Sequence, residues 1–142
     1  MKKILLIGFL LLICGCQKKN SSSEEKIYDY EDVKEYFIDW PMVLSQDKPS
    51  YYAYVFSYTC GHCKDIKQDI LKAVIEREWN ICFVEFSYEI PIVSNDSVYV
   101  GITSYEELGI IGTPTLFQIR DATIVDRFTG STEIISTLYN NS

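Results

Sequence analysis

The stretch from Tyr51 to Phe86 constrains the fold most, because the spacing of its apolar residues changes twice. Residues 51–57 form an apolar, tyrosine-rich run of the kind expected for a buried strand. Residues 62–78 then place apolar side chains at helical spacing and charged ones on the opposite face, which predicts an amphipathic helix. A second buried run, residues 81–86, follows. A strand, a crossover helix and a strand make a parallel pair, so the sequence predicts an α/β core.

The C-terminal part of the chain has the pattern of a hairpin followed by a helix. Two β-prone runs, residues 112–120 and 123–130, flank the two-residue break Asp121-Ala122. This arrangement predicts an antiparallel hairpin. Residues 131–139 are then expected to form a final helix against the sheet.

Three further segments are less regular. Residues 28–40 have apolar positions at helical spacing and predict a helix that stops at the following proline. Residues 87–103 have no clean period and are expected to be a loop or partly extended. Ser104 with Glu107 three places on is a capping box, which predicts a short helix that ends at residue 109.

The N-terminus has the pattern of an export signal. A basic start precedes an apolar run of ten residues, which is short for a bilayer span and typical of a signal peptide over residues 1–15. The sequence Ile13-Cys14-Gly15-Cys16 resembles the bacterial lipobox, and the resemblance implies that Cys16 is lipidated. Residues 16–26 are polar and Ser-rich and predict a flexible tether, so the folded domain is expected over residues 27–142. A plain secretory peptide or an uncleaved anchor is the alternative.

The charge of the mature chain is strongly negative. Removing residues 1–15 takes Lys2 and Lys3 from the 13 basic residues and none of the 20 acidic ones, so the formal charge goes from −7 to −9. Such a chain is a poor partner for nucleic acid or for anionic lipid surfaces. Nucleic-acid binding is therefore not expected.

Three cysteines remain for the domain once Cys16 is assigned to lipid. Cys60 and Cys63 form a C-x-x-C pair, and Cys82 lies in an apolar strand, where a buried, inert thiol is expected. A structural zinc site needs four ligands, and the intervening His62 cannot easily share a metal with the pair. An iron–sulfur cluster fails on the same count. No metal site is predicted, which leaves a reactive dithiol or a structural disulfide.

The order of elements resembles the thioredoxin fold over residues 28–140, with a central mixed β-sheet flanked by helices. Cys60-Gly61-His62-Cys63-Lys64 looks like the active site of protein disulfide isomerase domains, and residues 108–115 look like the loop that carries the family's cis-proline. The resemblance implies that Pro114 is cis and that the backbone of Thr113 pairs with an extended substrate chain. The lipobox points to the extracytoplasmic bacterial members of this superfamily.

The chemistry of disulfide exchange assigns roles to the residues of the motif. At the start of a helix, Cys60 meets unpaired N–H groups and the positive end of the helix dipole, which favour its thiolate. His62 can add a hydrogen bond or a positive charge, and Cys63 is expected to resolve the mixed disulfide. The fold often keeps a buried acid in the preceding strand, but Tyr54 stands there. Glu85 on the next strand is a candidate substitute as proton relay, or it points to solvent at a strand edge.

The resulting hypothesis is a membrane-anchored, extracytoplasmic thiol–disulfide oxidoreductase that acts as an oxidase, isomerase or reductase through Cys60 and Cys63. Its expected partners are the thiols and disulfides of exported proteins and a membrane redox protein. No organic cofactor is implied, and a monomer is expected. The alternative is a non-catalytic thioredoxin-like lipoprotein, for instance beside a peptide-export system, in which the cysteines form a structural disulfide.

Overall fold

A four-stranded mixed sheet forms the centre of the computed structural model, which describes residues 25–140. The spatial order of the strands is β2-β1-β3-β4. β1 runs parallel to β2 and antiparallel to β3, and β3 runs antiparallel to β4. The strands are β1 Ser50–Phe56, β2 Ile81–Glu85, β3 Thr115–Arg120 and β4 Thr123–Thr129. The predicted α/β core and its parallel pair are confirmed.

Three α-helices flank the sheet, namely α1 Gly61–Asp65, α2 Lys67–Ile75 and α3 Ser131–Asn140. The single helix expected over residues 62–78 is therefore two helices, because the backbone of Ile66 leaves helical geometry at φ −102° and ψ 5°. α2 also ends before residue 78, since Glu78 adopts a left-handed φ of 56°. The final helix is confirmed. The predicted central mixed β-sheet flanked by helices is confirmed.

The prediction of one continuous helix over residues 28–40 is wrong. Two short 3-10 helices, Tyr30–Tyr36 and Trp40–Met42, take its place. Between them Phe37 is extended and forms a parallel bridge with Phe83 of β2, and the N–H of Ile38 donates to the Phe83 carbonyl at 2.9 Å. Backbone groups that would form hydrogen bonds within an α-helix thus pair with the edge of the sheet instead. The expected stop, Pro41, lies inside the second short helix.

The connection from β2 to β3 contains no helix or strand of its own, as expected for residues 87–103. The short helix predicted after Ser104 does not form. The segment makes turns instead, with the N–H of Glu107 donating to the Ser104 carbonyl at 3.2 Å. Ile92 forms an isolated bridge with Ile110, and a Cβ on the intervening Gly109 would lie 2.4 Å from Cγ1 of Val93. Only glycine permits this close approach.

The hairpin between β3 and β4 has the expected two-residue turn. Asp121 and Ala122 both adopt a left-handed φ, at 48° and 55°. Two positive φ values are the geometry of a type I′ turn, whose twist matches that of the flanking strands. The hairpin prediction is confirmed, with one register irregularity between Gln118 and Ile119.

The predicted signal peptide, the lipidation site Cys16 and the tether up to residue 24 lie outside the described residues. Within residues 25–140, no helix is both long and apolar enough to span a membrane.

Candidate active site

Cys60 lies in the connection between β1 and α1. It is the N-cap residue of α1, in extended geometry, and its sulfur accepts a hydrogen bond from the N–H of Cys63 at 3.2 Å. A helix N-cap side chain normally accepts such a bond from one of the first turn's free amides. The Cys60 side chain is partly buried, so its sulfur can meet a substrate disulfide while the helix start stabilises its thiolate.

Cys63 lies one turn further along α1 and is only 1% exposed. It belongs to the apolar cluster that packs α1 and α2 on one face of the sheet. Within the described residues, both members of the pair are present as thiols. The first cysteine is partly exposed and the second is buried, and the predicted roles in attack and resolution are compatible with this difference.

The loop that contains Thr113 and Pro114 packs directly against the dithiol. The Thr113-Pro114 peptide bond is cis, which confirms the sequence prediction. The carbonyl oxygen of Thr113 accepts a hydrogen bond from the Cys60 thiol at 3.3 Å. Thr115 stabilises this loop, since its hydroxyl donates a hydrogen bond to the Gly112 carbonyl at 2.7 Å. The structure therefore brings Thr113 and Pro114 next to Cys60, and their role in substrate binding stays a prediction.

The two thiols have opposite pKa shifts. Burial acts to raise the pKa of Cys60, but hydrogen bonds from the side chains of Cys63 and Thr113 and from the amides of Cys63 and His62 outweigh it and lower the pKa below its usual value. Burial raises the pKa of Cys63 to about 11, and the interaction with Cys60 adds to the rise. Because only the thiolate is nucleophilic, these opposite shifts favour Cys60 over Cys63 as the more reactive thiol of the pair.

The His62 side chain is exposed and lies next to Asp65. Its side chain is 73% exposed, and Nδ1 lies 3.8 Å from a carboxylate oxygen of Asp65 one turn on. Its backbone amide, in contrast, is among the groups that lower the pKa of Cys60. The contribution of His62 that is visible in the structure thus comes from its backbone.

The structure does not bring Glu85 to the thiols. It is exposed at the C-terminal end of β2, in register with Phe56 of β1. The space behind Cys63 contains two tyrosines, Tyr30 and Tyr54, whose pKa values burial raises and whose hydroxyls interact electrostatically with both cysteines. Neither tyrosine ionises near neutral pH. The Tyr54 hydroxyl is buried next to Tyr30 without reaching hydrogen-bond geometry.

Cys82 lies on the other face of the sheet. It packs in the second apolar cluster, its thiol donates to the Tyr52 carbonyl at 3.3 Å, and burial raises its pKa to about 12. This environment fits the inert thiol expected from the sequence. Among the described residues, no group of three metal-ligating side chains is present.

An aromatic cluster next to the dithiol was not anticipated from the sequence. The ring of Tyr30 stacks on Phe56 at 4.3 Å and meets Tyr58 edge-on at 5.4 Å. Tyr58 is half exposed and lies two residues before Cys60. The position of Tyr58 next to the C-x-x-C motif is the sequence signal that could have identified it as part of the site. Tyr30 comes from a distant segment, and no local pattern marks it.

No protein-family model matches the sequence, and no curated protein matches it. Among solved structures, thioredoxin f2 of Chlamydomonas reinhardtii aligns at 23% identity and a TM-score of 0.47, covering 75% of this chain and 94% of its own. Mitochondrial thioredoxin 3 of Saccharomyces cerevisiae aligns at 13% identity and a TM-score of 0.49, covering 74% and 90%. A thioredoxin of Aeropyrum pernix aligns at 20% identity and a TM-score of 0.46, covering 80% and 82%.

Proposed function

We propose that this thioredoxin-like chain is a thiol–disulfide oxidoreductase that exchanges disulfides with exported proteins. The observation that carries the proposal is the asymmetry of the dithiol. Cys60 is accessible with a lowered pKa, while Cys63 is buried beside it with a pKa raised to about 11. A structural disulfide has no use for an activated and accessible first sulfur, so this asymmetry favours exchange over the non-catalytic alternative.

The reductive direction proceeds in two balanced steps. The Cys60 thiolate attacks one sulfur of the substrate disulfide, and the other substrate sulfur leaves as a thiolate. Cys63 then loses its proton and attacks the Cys60 sulfur, which releases the second substrate thiolate and leaves a Cys60–Cys63 disulfide. Two electrons pass to the substrate. Oxidation of a substrate dithiol runs the same steps in reverse.

Substrate positioning is assigned to the loop at Thr113 and Pro114. The Thr113 carbonyl oxygen already lies within hydrogen-bond distance of the Cys60 sulfur. An extended substrate chain that pairs with this backbone places its disulfide next to Cys60, as in other cases where a peptide is bound by strand addition.

The cellular setting is proposed from the N-terminal sequence. Residues 1–15 act as a lipoprotein signal peptide, and Cys16 carries the lipid that anchors the protein to the outer side of a bacterial cell membrane. The partners are then exported proteins and a membrane redox protein that renews the dithiol or the disulfide. No cofactor is needed, since the electrons move between sulfurs.

Alkylation of each cysteine over a range of pH tests the proposed activity. The reduced full-length protein in detergent is pulsed with iodoacetamide, and every cysteine is quantified by mass spectrometry. Cys60 is expected to react at a lower pH than an ordinary thiol, while Cys63 and Cys82 react only at high pH. A Cys60 that reacts no faster than an ordinary thiol would contradict the proposal and favour a structural disulfide.

Equilibration against glutathione then gives the direction of the reaction. A potential of about −120 to −180 mV supports an oxidase or isomerase, and one of about −270 mV supports a reductase.

Labelling with a palmitate analogue tests the proposed lipid anchor. The analogue is expected to be incorporated into the wild type but not into Cys16→Ala. Equal labelling of both proteins would rule out Cys16 as the lipidation site.

A further inference from the structure

An open groove of about 1140 Å³ lies between the N-terminal segment and the end of β2. One wall is formed by residues 37–42, and the other by residues 85–89. Its apolar lining includes Trp40, Met42 and Tyr88, of which Tyr88 is fully exposed at 104%. The volume exceeds that of ordinary small-molecule pockets, and an open shape of this kind suits a polypeptide segment.

The charged side chains of the groove are all acidic. Asp39, Glu85 and Glu89 contribute carboxylates, and no Lys, Arg or His is found among the described residues that line it. The negative charge of the whole chain has the same sign, so a second copy of this protein is repelled. The ligand that complements the groove carries apolar side chains together with positive charge.

The groove also contains an open edge of the sheet. β2 is an edge strand, and residues 37–38 pair with it only at Phe83 before the chain turns away into the short helix at Trp40. The Phe83 carbonyl faces this edge, because it accepts from Ile38. Backbone groups alternate along a strand, so those of Glu85 face the same edge. An extended peptide can therefore continue the pairing that Ile38 abandons.

The groove and the dithiol lie at the same end of the sheet. Glu85 is in register with Phe56, and the N–H of Phe86 donates to the Phe56 carbonyl at 2.7 Å. Cys60 follows Phe56 by four residues. Tyr58 lies between the two sites, with its ring 5.2 Å from that of Phe56 and close enough to Glu85 for a charge interaction. A chain whose disulfide reaches Cys60 can thus run past Tyr58 into the groove.

We propose that this groove binds the extended flank of the disulfide substrate, a polypeptide segment in which apolar and basic side chains alternate. The inference rests on the proposed function, because it specifies the substrate class of that dithiol. Alternation follows from strand geometry, since neighbouring side chains of an extended chain point to opposite faces. One set then contacts the apolar wall, and the other meets the carboxylates.

A direct binding measurement tests the groove without involving the thiols. The probes are a fluorescein-labelled, cysteine-free decapeptide of alternating lysine and valine and its glutamate–valine counterpart. Their binding to full-length protein in neutral detergent is followed by fluorescence anisotropy. The test protein is Asp39→Asn combined with Glu89→Gln, because both side chains are exposed and the Asp39 side chain makes no cap hydrogen bond.

The matched control is Asp121→Asn. This carboxylate lies in the β3–β4 turn beside Pro49, at the opposite end of the sheet from Cys60, and asparagine tolerates its positive φ. The lysine peptide is expected to bind the wild type at least about tenfold more tightly than the glutamate peptide at low salt. The double variant should lose about three- to tenfold of that affinity, and the control less than about twofold.

Equal binding of both peptides, or equal losses in the double variant and the control, would overturn the inference. The rate of reaction with a small disulfide, 5,5′-dithiobis(2-nitrobenzoic acid), separates this from the proposed function. Peptide binding without a reactive Cys60 would leave the groove standing and refute the redox activity. A reactive Cys60 without charge-selective binding would refute the groove and leave the redox activity standing.

Discussion

Replacing Cys63 tests how Cys60 is activated. Burial works against the Cys60 thiolate, and the hydrogen bond from the Cys63 side chain is the largest effect in the opposite direction. The N–H of Cys63, at 3.2 Å from the Cys60 sulfur, is independent of the side chain and remains in any variant. Cys63→Ala therefore removes one donor and leaves the helix start intact.

The expected size follows from the strength of a hydrogen bond to a charged group, about 1.5–3 kcal/mol. A thiol is a weak donor and Cys60 is partly exposed, so the lower end applies, and about 1.4 kcal/mol corresponds to one pKa unit. Cys63→Ala should raise the pKa of Cys60 and reduce its thiolate near neutral pH, and with it the alkylation rate, by up to about tenfold. Cys63→Ser keeps a donor and should reduce that rate by less than about twofold.

The ultraviolet absorbance of the thiolate, recorded against pH, measures both variants. Alkylation rates of Cys60 provide an independent titration of the same group. A Cys63→Ala protein whose Cys60 titrates as in the wild type would contradict the prediction and assign the activation to Thr113 and the backbone amides. Equal shifts in the serine and alanine variants would also contradict it, because the donated hydrogen bond would then not be the cause.

Three further outcomes are expected. His62→Ala should raise the pKa of Cys60 by less than Cys63→Ala does, because the imidazole is exposed, and should lower the reduction potential of the Cys60–Cys63 couple relative to the wild type; an unchanged thiolate titration would limit its role to the backbone amide. Gly109→Ala should lower the free energy of unfolding by about 1–3 kcal/mol in urea melts, through the clash with Val93, and Val93→Ala should restore part of the loss. Since burial raises the pKa of Cys82 to about 12, only the unfolded chain loses this proton above about pH 9, so stability should fall with rising pH by up to about 1.4 kcal/mol per unit. Cys82→Ala should flatten that decline and leave disulfide exchange unchanged.

The part of the site that could be predicted from the sequence depends on local geometry. A cysteine that ends a strand and begins a helix meets the free amides of that helix in any tertiary context, which is why Cys60 was identified as the nucleophile. The two-residue spacing places Cys63 on the inner side of the same turn. The Gly-Thr-Pro-Thr loop was recognised by resemblance, and the cis bond at Pro114 agrees with it.

Which side chains lie behind the dithiol could not be predicted from the sequence, because that depends on what packs against Cys63. An acid inside an apolar strand is compatible with burial or with a strand end, and the sequence left both open for Glu85. The structure ends β2 at this residue and exposes it, while Tyr30 and Tyr54 fill the space beneath the dithiol. Tyr30 arrives there from a segment that local spacing had assigned to an α-helix.

Local sequence patterns were sufficient to predict the four strands, the tight hairpin turn, the final helix and the place of the dithiol at the start of a helix. Tertiary structure alone decided the break at Ile66, the extended backbone at Phe37 and the acidic groove beside β2. Helical spacing of apolar side chains and helix capping act between residues that are close in the sequence. Pairing at a sheet edge joins segments more than forty residues apart, here Phe37 and Phe83, and it overrides the weak helical preference of the segment around Phe37.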